Sequence, residues 1–138
     1  MKQMFAASLC ALAFLCGCAG GGAEKKMGGG EAFVYPELDT FDSEAFLAIG
    51  YPAARGNWAE VKKYVTSEKY KAAVAKFEAA ALPSQHSDRK AFKDNLVAAA
   101  KEIAEKASAN ASNSDLEAAW KKIAEAKGKL MTGDQPAS

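Results

Sequence analysis

Four stretches of the chain place apolar residues three or four apart, and none alternates with period two over the length of a strand. The first opens at Asn57-Trp58-Ala59-Glu60, where Asn57 can cap the first turn and Glu60 can reach back to it. Trp58, Val61 and Val65 share its apolar face. The phase then slips, because the next set (Tyr70, Val74, Phe77, Ala81) begins five residues after Val65. That slip predicts a turn or kink at Thr66-Ser67, with a second helix over 67–82 stopped by Pro83. Beyond the polar connection Ser84-Gln85-His86-Ser87, Ser87 or Asp88 is placed to cap a third helix reaching about residue 107. Its face is Phe92, Leu96, Ala99 and Ile103. After a loop at 109–113, Ser114-Asp115-Leu116-Glu117 reads as a capping box. Leu116, Trp120 and Ile123 continue that helix, Lys127 interrupts the stripe before Leu130, and Gly128 is expected to close it. Residues 131–138, with Pro136, read as a tail.

Residues 33–54 fit no single period. Five of the eleven aromatic residues that follow residue 18 lie between 33 and 51, interleaved with Glu37, Asp39, Asp42 and Glu44. The expectation is an irregular acidic and aromatic arm. Within it Asp42 or Ser43 would cap a short helix through Ile49, ended by Gly50 and Pro52. Residues 31–44 carry five acidic side chains and no basic one, whereas 57–131 carry fourteen basic and ten acidic. Opposite charge and a small core both favour the arm packing onto the body, the alternative being an arm that binds a partner. The fold class is therefore all-α: an antiparallel bundle of three to four helices over 55–131, preceded by that arm, with a flexible tail over 132–138.

The amino-terminal end changes the picture. Lys2 precedes an apolar run over residues 4–15, of secretory-signal length and too short to span a bilayer comfortably. Residues 19–32 contain six glycines and no apolar periodicity, so they read as a tether about 20 Å from end to end. The run closes in Leu15-Cys16-Gly17-Cys18, which resembles the lipobox of bacterial lipoproteins. The resemblance implies removal of residues 1–17, lipidation of Cys18 and anchorage to a membrane. With Ala19 following, it also implies the periplasmic side of the outer membrane in a Gram-negative cell. Residues 17–23 are all small, which also suits a conventional signal cleavage.

Removing residues 1–17 takes away Lys2 and no acidic residue, so the formal charge falls from +1 to zero. Neither nucleic acid nor a polybasic membrane footprint fits a neutral chain. Cys10 and Cys16 leave with the signal and Cys18 is taken by lipid, so no disulfide forms within the chain.

Tyr70-x-x-Ala73-x-x-x-Phe77-x-x-Ala80 followed by Leu82-Pro83 resembles the second helix of a tetratricopeptide repeat, and Leu116, Ala119, Ile123 and Ala126 repeat the spacing. Bundles of this length are also similar to cytochrome c′, but the haem-attachment motif C-x-x-C-H has no counterpart in the corresponding region, 124–128. With one histidine, His86, in an expected loop, no catalytic, metal or cofactor site is expected. The expected function is a lipid-anchored, non-enzymatic domain binding an envelope protein partner. The large side chains Trp58, Trp120, Tyr35 and Phe41 form the candidate interaction surface. The alternative is a module whose helices enclose a small apolar ligand.

Overall fold

The computed structural model describes residues 33–133, and every regular element among them is helical. The signal segment, Cys18 and the tether therefore lie outside the described residues, as do residues 134–138.

Chain entry is where the fold differs most from expectation. The arm is not irregular. α1 (Pro36–Phe41), a π turn (Asp42–Phe46) and α2 (Leu47–Ala54) follow one another with right-handed helical backbone at both joints, forming one rod. Its buried residues Leu38, Phe41, Ala45, Ile49 and Pro52 are spaced 3, 4, 4 and 3. Counted at 3.6 residues per turn, these spacings lie on one side of the rod, the side turned to the core. Gly50 and Pro52 do not stop the rod: Pro52 is buried in the last turn, where it forfeits one backbone bond.

The remaining elements are α3 (Trp58–Val65), α4 (Glu68–Ala79), a 3-10 segment (Ser84–Arg89), α5 (Lys90–Ser108) and α6 (Asn113–Thr132). The phase slip after Val65 is a break, with the Ser67 hydroxyl accepting from the Tyr70 amide at 3.3 Å. α4 ends before residue 82, because Ala80 turns extended and the carbonyls of Glu78 and Ala80 are satisfied by Lys93 Nζ. Neither Ser87 nor Asp88 caps α5, since both lie inside the 3-10 segment. The capping box of α6 sits two residues earlier than expected. Ser112 accepts from the Asp115 amide at 3.2 Å and Asp115 accepts from the Ser112 amide at 3.2 Å. Gly128 is interior to α6, which runs to Thr132 and closes at Gly133 with φ 71°.

α5 and α6 form a hairpin, tied across by Lys122 Nζ to Glu102 at 2.8 Å. α3 and α4 pack on α5, and the rod lies against α3 and α4. Val61, Val65, Tyr70, Phe77, Leu96, Ile103, Leu116, Ile123 and Leu130 fill the centre together with the rod's inner face. The tetratricopeptide-like positions Tyr70, Ala73 and Phe77 all face this core, as do Leu116, Ala119, Ile123 and Ala126.

Candidate interaction surface

Two of the four aromatic residues expected at the surface are inside. Tyr35 and Phe41 are each only 2% exposed. Phe41 stacks on Phe77 with ring centroids 4.6 Å apart, and the Tyr35 ring lies 5.7 Å from that of Phe77. Their large apolar area is worth more in the core than on the surface, so they are corrected to core residues. Trp58 and Trp120 are half-buried against the core. Trp120 packs on Phe46 at 4.5 Å and lies 3.4 Å from where a Cβ on Gly50 would be. Cys18 falls outside the described residues.

Two helices grip the rod's π turn. Tyr64 of α3 donates its hydroxyl to the carbonyl of Glu44, and Asp42 pairs with Lys127 of α6. Lys127 also lies 4.0 Å from the centroid of the Phe46 ring. These bonds explain why Lys127 interrupts the apolar stripe of α6: it faces the rod's one inward-turned carboxylate. Burial, then the nearby Glu44 carboxylate, pushes the Tyr64 phenol above its ordinary range.

With the inner face so held, the outer face is fixed. Asp39, Ser43, Leu47, Tyr51 and Arg55 are all exposed, at a constant spacing of four. The π turn shifts the mean turn towards four residues, which keeps this stripe in line along the rod. Leu47 is 41% and Tyr51 68% exposed. Beside them, between the rod and α3, runs an open groove of about 560 Å³ lined by Ala48, Tyr51, Pro52, Glu60, Lys63 and Tyr64 among others. Residue-type reasoning passed over Leu47 and Tyr51 in favour of Trp58, Trp120, Tyr35 and Phe41. The signal that finds them is the spacing of four, read as a π-containing helix.

Three further polar residues, Lys93 and His86 buried and Arg89 partly so, also pack inside the fold. Lys93 donates to the Glu78 carbonyl at 2.8 Å and to that of Ala80, where the Tyr35 hydroxyl also donates at 3.4 Å. Burial lowers the pKa of its amine. His86 is buried, not solvated in a loop, and its ring lies 4.9 Å from that of Phe33 in an edge-on arrangement. Arg89 covers the other end of α6, donating to the carbonyls of Leu130 at 2.8 Å and Met131 at 2.6 Å, with its guanidinium 4.5 Å from the Phe33 ring centroid. Each closes a helix end or seats the rod's entry. Among the described residues no three His, Cys, Asp or Glu side chains gather as a metal site, and no helix is long and apolar enough to cross a membrane.

Comparison of the chain with protein-family models, with curated proteins and with solved structures finds no match.

Proposed function

We propose that this chain is a lipid-anchored, non-enzymatic domain whose outer rod face binds a protein in the cell envelope. The observation that carries the reading is the exposed Leu47–Tyr51 pair beside the groove on α3, held on a rod gripped from both sides. Apolar side chains presented on rigid backbone lose little freedom on docking, which is what an interaction surface requires. The anchor rests on the lipobox-like Leu15-Cys16-Gly17-Cys18. Two or more acyl chains hold a protein stably at a bilayer, with each buried methylene worth roughly 0.8 kcal/mol. The carrier reading draws on the slot between α4 and α5, lined by Tyr70, Val74, Ala100 and Ala104, whose volume is about 160 Å³. Ligand sites run from about 300 Å³ upward, so the slot favours the interaction reading.

Both halves are testable in cells. Cys18→Ser should move the chain from the membrane to the soluble fraction, and unchanged membrane recovery would reject the anchor. A photoreactive side chain at position 51 should give a protein adduct, while the same group at Glu105 on α5 should not. Equal labelling from both positions, or none, would remove the rod face from consideration.

A further inference from the structure

The stripe on the rod is complementary to itself. Centred on Leu47, it reads acid, hydroxyl, apolar, hydroxyl, base: Asp39, Ser43, Leu47, Tyr51, Arg55. Laid antiparallel on a copy, it sets Asp39 against Arg55, Ser43 against Tyr51 and Leu47 against Leu47. A parallel arrangement would set like charges against each other at both ends, which selects the antiparallel one. Among the described residues neither Asp39 nor Arg55 has an ion-pair partner. No basic residue occurs between Lys26 and Arg55, so the rod's charges up to Glu44 are all acidic, residues 45–54 are uncharged, and the first basic residue, Arg55, lies just beyond its end.

We propose that the occupant of this face is a second copy of the chain, docked antiparallel about a twofold axis that passes beside Leu47. The inference rests on the rod face being an interaction surface and names its partner. Such an interface is isologous: each copy contributes the same patch, and the assembly closes at two. It spans seventeen residues, from Asp39 to Arg55, about 24 Å of helix, and is one helix wide. That is small beside the roughly 1,200 Å² buried by stable complexes. The pairing is therefore weak in dilute solution and populated where a common membrane anchor concentrates the copies. The anchor and the stripe then act as one device.

The test places cysteine on the axis of the full-length chain, with the unsubstituted chain run alongside. Membranes are oxidised with copper phenanthroline and resolved without reductant. Leu47→Cys should give a dimer that reductant reverses, whereas Lys69→Cys and Glu105→Cys, exposed on α4 and α5, should give no more than the parent. Ser43→Cys and Tyr51→Cys chains, expressed together, should cross-link to each other more than either does to itself, which checks the register. Adding Arg55→Asp to Leu47→Cys should lower the dimer fraction roughly tenfold, and Asp39→Arg added to both should restore it. Absence of the Leu47→Cys dimer, equal dimers from all three positions, or failure of the charge swap to restore would each overturn the pairing. A position-51 photo-adduct to a different protein, without the Leu47→Cys dimer, would overturn the self-pairing and leave the interaction surface standing. Fractionation of the same cells reports on the anchor separately.

Discussion

Gly128 lies inside α6, and nothing comes within 4 Å of the position its Cβ would take. A glycine at that place costs the helix about 0.5–1 kcal/mol relative to alanine through backbone entropy. Gly128→Ala should therefore raise stability by about that amount in a urea or thermal melt. A loss would mean that the helix ends there after all. Tyr70 sits in the core, 1% exposed, and donates its hydroxyl to the Ala100 carbonyl at 3.0 Å. Burial, then the neighbouring Tyr64, raises its pKa above the ordinary 10.0, so the folded chain holds this proton where the unfolded chain releases it. The resulting stabilisation is complete below pH 10.0 and is lost as pH climbs from there towards the raised value. Unfolding followed from pH 8 to 11 should show stability falling above about 10, with a shallower fall in Tyr70→Phe. That variant should also be about 1 kcal/mol less stable near neutral pH, from the lost hydrogen bond. Tyr35 and Tyr64 are raised for the same first reason and keep part of the slope in the variant.

At the scale of elements, the rod offers a test that a regular helix does not. A π turn is an α-helix carrying one extra residue. Deleting Ser43 removes the extra residue, bringing Ala45 to three and Ile49 to seven positions after Phe41, still on one helical face. Deleting Ala48, beyond the turn, instead rotates Ile49 and Pro52 away from the core. The first deletion should shift stability by about 1 kcal/mol or less, and the second should cost about 3 kcal/mol or more in the same melt. Equal costs would reject the phasing argument. The rod also shows where sequence reasoning reaches its limit. α3, α5 and α6 were legible because Val61 and Val65, Leu96, Ala99 and Ile103, and Leu116, Trp120 and Ile123 keep to three and four. The rod hid because Gly50 and Pro52 read as stops where the core holds them in helix. Lys93 and Arg89 were illegible for another reason. Each satisfies carbonyls at the end of a helix distant in sequence, and only the packed fold shows which ends lack partners. Of the candidate surface, the charges and Tyr51 stood in plain view, but their alignment depends on the π turn.

For the molecule as a whole, the question is whether the rod is an attachment or a part of the core. Leu38, Phe41, Ala45 and Ile49 are each at most 5% exposed, and they cover Phe77 and the inner faces of α3 and α4. Burying a large apolar side chain stabilises by about 1.5–3 kcal/mol, so the three largest of these and Tyr35 together supply on the order of 6–12 kcal/mol. A domain of this size has only about 5–15 kcal/mol in total. Removing residues 33–54 should therefore abolish cooperative unfolding, leaving a helical but loosely packed chain that binds a hydrophobic dye. Adding back a peptide of residues 33–54 should restore a sharp transition, because its inner face finds the same vacancy. An unchanged melt after the deletion would show instead that the bundle is complete without the rod. The prediction also bears on function, since a rod that completes the core cannot detach to meet a partner. Whatever docks on Leu47 and Tyr51 must then meet a preformed surface, and the ordering cost of docking has already been met in folding.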